Sequence, residues 1–124
     1  MVKEKGIIPV ILDTNAILAP FQFKFDLEGE LKRLLGAHKI LVPSAVLEEL
    51  KHVSDRHAKA ALTFAGRYEL VESDRKGDEA ILDLAARMGA VVVTNDKELK
   101  KRLKLAGITI IYLRQQSYLV LEHP

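Results

Sequence analysis

The chain contains no cysteine and no tryptophan, and asparagine occurs only twice among its 124 residues. The absence of cysteine excludes a disulfide framework, a thiolate zinc site and a thiol nucleophile. No apolar run is long enough to span a bilayer, so the sequence predicts no membrane association. Scarce glutamine beside plentiful lysine and glutamate is typical of thermophilic proteins. A cytoplasmic location is compatible with this composition.

The remaining composition is that of a folded globular protein, with 48% hydrophobic and 29% charged residues. We see no linker, internal repeat or low-complexity segment, and therefore expect one domain over residues 1–124. The net charge is only +2, so the distribution of basic residues tells more about a nucleic-acid partner than their sum.

Short apolar segments alternate with helical patterns along the chain. Strands are predicted at residues 7–12, 39–42, 68–71, 90–94 and 108–113, and helices at 26–35, 44–53, 56–66, 77–88 and 97–106. The aromatic segment Phe21–Phe25 is interpreted as a loop, and the tail 114–124 as either a sixth strand or a docking segment. This alternation predicts an α/β fold of three layers, in which a parallel sheet of about five strands is covered by helices on both faces.

Two carboxylates directly follow predicted strands. Asp13 ends the apolar run in "VILDTNAIL", and Asp96 follows "VVVTN". An unpaired charge at the inner end of a buried strand is unfavourable, so each position needs an explanation. Sites in parallel α/β folds lie outside the carboxyl ends of the strands, and both aspartates are expected there.

Helix phase adds two further acids to this edge. Glu49 lies three residues after Val46 and four before Val53, so it borders the buried stripe of its helix. Asp78 precedes the apolar Ile81 by three residues and is expected to point inward from the first turn. Taken singly, each acid could be a turn residue, a helix N-terminal acid or a solvated side chain, but together they predict a cluster.

A cluster of four carboxylates predicts a bound cation, because the negative charges repel one another. Two carboxylates about 5 Å apart repel by roughly 3 kcal/mol at an effective dielectric constant of 20. A divalent ion relieves this repulsion, and oxygen-only ligands select Mg²⁺ or Mn²⁺ over zinc. Ions held in this way suit phosphodiester hydrolysis, because they lower the pKa of a bound water and stabilise a leaving oxygen.

Polar and basic residues accompany the acids. Short hydrogen-bonding residues suited to orienting carboxylates or the attacking water flank both strand-end aspartates: Thr14, Asn15, Thr94 and Asn95. Basic residues nearby are expected to contact phosphates, the alternative being a solvated thermophilic surface: Arg75, Lys76, Lys97, Lys100 and Lys101. Arg75 and Lys76 are favoured, because a loop between a strand and a helix should bring them near the acids.

Four segments in chain order, "LDTNAIL", "VPSAVLEEL", "GDEAILDLA" and "VVVTNDKELKKRL", resemble the acidic motifs of the PIN-domain family. The resemblance extends from about Ile7 to Leu121. It implies a Rossmann-like fold and an endoribonuclease that depends on Mg²⁺ or Mn²⁺. The acidic quartet that it implies is Asp13, Glu49, Asp78 and Asp96.

The resemblance leaves the branch of the family open. The segment "KELKKRLK" followed by "GITIIYLRQQSYLVLE" is more similar to the branch acting in ribosomal RNA maturation, especially its archaeal members. Toxins of toxin–antitoxin pairs usually carry an aromatic residue soon after the "TND"-type motif, where this chain has Glu98 and Leu99. The partners implied are RNA, a second copy in a homodimer, and either ribosome-assembly proteins or an antitoxin.

Two other classes of function compete with the nuclease. A phosphoacceptor receiver domain would use Asp13, Asp74 and Thr94, but Asp13 has no acidic neighbour and Arg114 stands where a receiver has lysine. A PIN-like module that binds RNA or protein without cutting is the second alternative. The intact set of four acids argues against it, because acids placed together are unfavourable without a function.

Overall fold

The computed structural model describes residues 6–124, which form a six-stranded sheet with helices packed against it. The strands are β1 (Ile8–Leu12), β2 (His38–Pro43), β3 (Glu69–Val71), β4 (Val91–Val93), β5 (Ile110–Arg114) and β6 (Tyr118–Glu122). Their order in the sheet is β3-β2-β1-β4-β5-β6, with β1 to β5 parallel and β6 antiparallel to β5. The predicted α/β, Rossmann-like fold is confirmed, and the tail contributes the sixth strand.

The helices are α1 (Thr14–Phe23), α2 (Leu27–Leu35), α3 (Ser44–Lys51), α4 (Ala58–Ala65), α5 (Gly77–Met88) and α6 (Lys97–Leu105). Val10, Ile11 and Leu12 of β1 are all fully buried. Successive strand residues point to opposite faces, so this burial shows that both faces of the central sheet are covered. None of these helices is long and apolar enough to cross a membrane.

Helix α1 corrects the interpretation of Phe21–Phe25 as a loop. The helix begins directly after Asp13 and runs through Phe21 to Phe23, and only the last two residues of that segment lie outside it. Pro20 stands inside the helix, where it removes one backbone hydrogen bond and hides the helical pattern in the sequence. Complete burial of Ile17 stabilises the helix in spite of this loss.

The topology brings the acidic motifs to one edge of the sheet. β1 and β4 are neighbours, and Leu12 pairs with Val93 at their carboxyl ends. The chain therefore leaves both strands at adjacent points, immediately before Asp13 and Thr94. Helices α3 and α5 follow β2 and β3 at the same edge, because all of these strands are parallel.

Candidate active site

A cavity of about 150 Å³ lies at this edge of the sheet. All four acids predicted from the sequence line it: Asp13, Glu49, Asp78 and Asp96. The predicted polar residues Thr14 and Asn15 line it too, whereas its other walls are mainly apolar, formed by Ala45, Val46, Val53, Gly77 and Ile81. The cavity therefore combines a carboxylate lining with apolar walls.

Asp13 is the most deeply placed of the four acids, with 6% of its surface exposed. Its carboxylate caps helix α1 by accepting a hydrogen bond from the Ala16 N–H at 2.7 Å, and it accepts another from the Thr94 hydroxyl. Burial raises the pKa of Asp13 to about 6, and the negative charges of Asp96 and Glu49 add to the rise, whereas the two hydrogen bonds oppose it. The cavity thus disfavours the charge on this carboxylate.

Thr94 connects two of the acids. It is completely buried, and its hydroxyl donates to Asp13 while accepting the backbone N–H of Asp96 at 3.1 Å. Asp96 in turn caps helix α6 by accepting the Leu99 N–H at 2.8 Å. One hydroxyl therefore sets the position of Asp13 relative to the turn that carries Asp96.

Thr14 performs a similar task for the acid on helix α3. Its hydroxyl, which is also buried, donates a hydrogen bond to the Glu49 carboxylate. The adjacent Glu48 faces solvent and forms an ion pair with Lys51 at 3.3 Å. The helix phase predicted from the sequence therefore separates the two neighbouring glutamates as expected.

Asp78 lies in the first turn of helix α5 and is partly buried. Burial raises the pKa of Asp78, and the charge of Asp96 acts in the same direction, while the Arg102 guanidinium opposes the rise. Arg102, which lies on the neighbouring helix α6, pairs with Glu79 of α5. The sequence groups Arg102 with the other basic residues of α6, and its position beside α5 was not predicted because a single sequence does not indicate which face of α6 packs there.

The asparagines that flank the aspartates differ in their surroundings. Asn95 does not reach the acids, since its amide donates to the Leu113 carbonyl at 2.9 Å and accepts the Leu113 N–H at 2.7 Å. It thereby continues the pairing of β4 with β5 one step beyond the point where the main chain turns away. Asn15 is exposed and lines the cavity.

The predicted basic residues lie around the acidic cavity but do not line it. Arg75 lies in a separate cavity of about 540 Å³ whose other charged residues are Glu72, Asp74, Asp83 and Arg87. Lys76 is the residue that precedes helix α5. The three predicted lysines of α6, together with Lys104, line a third cavity of about 410 Å³.

The donor set fits a hard divalent cation. All four acids offer oxygen, and none of them takes part in a salt bridge within residues 6–124. In the same range, no group of three or more acidic or histidine side chains is drawn together closely enough to hold a metal ion. The acids line the cavity from different elements instead of meeting at one point, in keeping with the repulsion between like charges.

The chain shows extensive similarity to known proteins. It is 29% identical to ribonuclease VapC9 of Archaeoglobus fulgidus over 119 residues, covering 90% of this chain and 87% of that protein. It is 33% identical to ribonuclease VapC4 of Methanocaldococcus jannaschii over 121 residues, covering 88% and 92%. Among solved structures, the PIN domain endonuclease Utp24 aligns with a TM-score of 0.80 at 31% identity, covering 94% of this chain and 92% of that one.

A family model described as a PIN-like domain matches residues 10–116. This range includes all four acids of the cavity, the whole of strands β2 to β5 and the last three residues of β1. The chain therefore belongs to the PIN-like domain family.

Proposed function

We propose that this protein is an endoribonuclease that hydrolyses RNA phosphodiester bonds with the help of Mg²⁺ or Mn²⁺. The observation that carries the proposal is the lining of one cavity by four carboxylates that form no salt bridge with any residue from 6 to 124. The similarity to two ribonucleases and to a PIN domain endonuclease supports the same class of reaction. A divalent ion bound here would supply an activated water and stabilise the leaving oxygen.

The four acids share the task of holding the ion. Asp13 and Asp96 come from adjacent strand ends and form the centre of the site, with Glu49 and Asp78 at its sides. Thr94 keeps Asp13 in place, and Thr14 keeps Glu49 in place, through the hydrogen bonds that their hydroxyls donate. The apolar residues Val46 and Ile81 form part of the cavity wall beside the carboxylates.

The identity of the RNA substrate is a separate question from the chemistry of cleavage. The relatives include two VapC ribonucleases as well as the endonuclease Utp24, so they support an RNA-cleaving activity without selecting the substrate. We propose maturation of ribosomal RNA as the process, because of the basic α6 segment and the tail that follows it. A toxin-type ribonuclease is the alternative, and the VapC relatives favour it.

Cleavage of a labelled, partly single-stranded RNA in the presence of Mn²⁺ tests the proposal. The wild-type protein is compared with the double variant Asp13→Asn, Asp96→Asn, which keeps the shape of both side chains but removes their charges. We expect a loss of cleavage of at least about 100-fold with RNA binding retained, because interactions at the reacting groups act on the rate of the chemical step.

A matched pair of substitutions on helix α3 sharpens the result. Glu49→Gln changes an acid of the cavity, whereas Glu48→Gln changes its solvent-facing neighbour. We expect only the first to reduce cleavage. Equal activity of wild type and double variant would contradict the proposed site, and binding without cutting by the wild type would favour a module that binds RNA without cleaving it.

A further inference from the structure

One side of helix α6 forms a continuous lysine surface. Four lysines spaced three or four residues apart lie on the same side of the helix, and we call them the lysine stripe: Lys97, Lys100, Lys101 and Lys104. The buried residues Leu99 and Leu103 lie on the opposite side. Arg102 is turned away from the stripe towards Glu79 of helix α5.

The stripe starts at the acidic cavity. Asp96 caps helix α6, and Lys97 is the first residue of that helix. From Lys97 to Lys104 the helix rises by about 10 Å, so the stripe leads directly away from the carboxylates. A ligand that is cut at the cavity can therefore continue along these lysines.

Two of the lysines are held in place by neighbours. The Lys100 ammonium lies 4.4 Å from the centre of the Tyr112 ring, and Lys104 pairs with Glu122 of strand β6. Lys97 and Lys101 are exposed and form no ion pair with any residue from 6 to 124. The stripe thus presents two free positive charges beside two that are already ordered, which lowers the entropy lost on binding an anion.

The opposite flank of the acidic cavity has a different charge balance. There the cavity beside the β3–α5 loop contains three acids and two arginines, and Arg87 is already paired with Asp83 at 3.1 Å. The cavity beside the lysine stripe contains four lysines and one glutamate. A polyanion is therefore attracted to the α6 flank and repelled, on balance, from the loop flank.

We propose that the RNA backbone flanking the cleaved bond lies along the lysine stripe, so that the protein binds a single strand on one side of that bond. This inference rests on the proposed function and deepens it, because it assigns the flank on which the substrate is held. The contacts are made to phosphates, so they are independent of base sequence. Arg75 and Lys76 contribute less, although they match two of the lysines in charge.

Binding of a labelled oligouridine of about 12 nucleotides measures the effect, with Asp13→Asn in every protein so that the RNA stays intact in Mg²⁺. The pair Lys97→Gln, Lys101→Gln is compared with Arg75→Gln, Lys76→Gln, which removes the same net charge. Each phosphate contact on a single strand contributes about 0.7 to the slope of log affinity against log salt. For the lysine pair we expect affinity about 25-fold weaker at about 0.1 M salt and a slope lower by about 1.4.

For the control pair we expect a change of less than about 3-fold. Equal losses in the two pairs, or none in the lysine pair, would overturn the lysine stripe as the RNA site. Polyglutamate with the same charge as the oligouridine is the second ligand. If it bound as tightly and depended equally on Lys97 and Lys101, the result would overturn the RNA site in favour of a site for an acidic protein partner. Because this test measures binding alone, a failure of the proposed nuclease appears separately, as absent cleavage in the wild-type protein.

Discussion

At Asp13, two opposing influences act on one carboxyl group. Its hydrogen bonds from Thr94 and Ala16 favour the charged form, while burial and the neighbouring acids disfavour it and raise its pKa to about 6. The same carboxylate caps helix α1, so it serves the fold and the candidate site at once. Such a residue is retained at the expense of stability when its charge is needed for binding an ion.

The raised pKa of Asp13 predicts how stability depends on pH in the absence of metal. The folded protein holds the Asp13 proton more tightly than the unfolded chain, so its stabilising contribution is complete below about pH 4 and is lost as the pH rises through about 6. The loss amounts to about 3 kcal/mol in the free energy of unfolding. Asp13→Asn removes this titration. We expect the variant to gain about that amount relative to wild type between acid and neutral pH, as measured by urea unfolding in EDTA.

Glu48→Gln is the control for this measurement, because it removes a carboxylate that faces solvent beside Lys51. Its effect should change little over the same pH range. If wild type and Asp13→Asn lost stability in parallel between acid and neutral pH, the prediction that the buried charge of Asp13 destabilises the folded protein would be wrong.

At the level of elements, helix α2 contacts strand β6 on the side that does not pair with β5. The Leu119 N–H donates to Glu30 at 2.9 Å, and the Leu119 carbonyl accepts from Arg33 at 2.8 Å. Glu30 and Arg33 also pair with each other at 2.9 Å. Two side chains thus satisfy the backbone N–H and carbonyl of Leu119 on the edge strand, which would otherwise be open to pairing with another chain.

Glu30→Ala should therefore loosen this edge. The Leu119 N–H loses its acceptor, and we expect a loss of about 1 kcal/mol in the free energy of unfolding together with faster hydrogen exchange at that amide. Lys32→Ala on the same helix is the control, because Lys32 is exposed and forms no salt bridge within the described residues 6–124. Unchanged protection of the Leu119 amide in Glu30→Ala would show that the edge is held by other contacts.

For the whole molecule, the candidate site depends on the crossing order of the chain. β1 lies between β2 and β4 in the sheet, so residues far apart in sequence surround one cavity. A metal ion held there would bind only the folded chain, because the unfolded chain does not assemble the four acids. Binding of the ion is then coupled to the stability of the entire domain.

This coupling predicts a rise in melting temperature when Mn²⁺ is added. At a concentration 100 times its dissociation constant the ion adds about 2.7 kcal/mol, which corresponds to roughly 10 °C for a domain of this size. Calorimetry in Mn²⁺ and in EDTA should show this rise for wild type and for Glu48→Gln. The double variant Asp13→Asn, Asp96→Asn should show little of it, and an equal rise in that variant would place the ion elsewhere.

The sequence by itself determined most of the elements and the four candidate acids. Alternating apolar strands and capped helices carry their own periodicity, and helix phase separated Glu49 from Glu48 because a three- or four-residue step is a local property. The same local rules failed at helix α1, where Pro20 weakens the pattern and burial of Ile17 compensates for it. Burial of that kind depends on what packs above the residue, which the local pattern does not contain.

Only the tertiary structure decided which polar groups meet. The sequence placed Asn95 beside an acid, but the neighbouring strand β5 makes it a partner of the Leu113 backbone instead. It did not show that Arg102 pairs with Glu79 of α5, and it favoured Arg75 and Lys76 over the lysines of α6, whereas Arg75 lines a cavity separate from that of the four acids. Hydrogen bonds and ion pairs require distances of a few ångströms between residues remote in the chain, and only the folded sheet sets those distances.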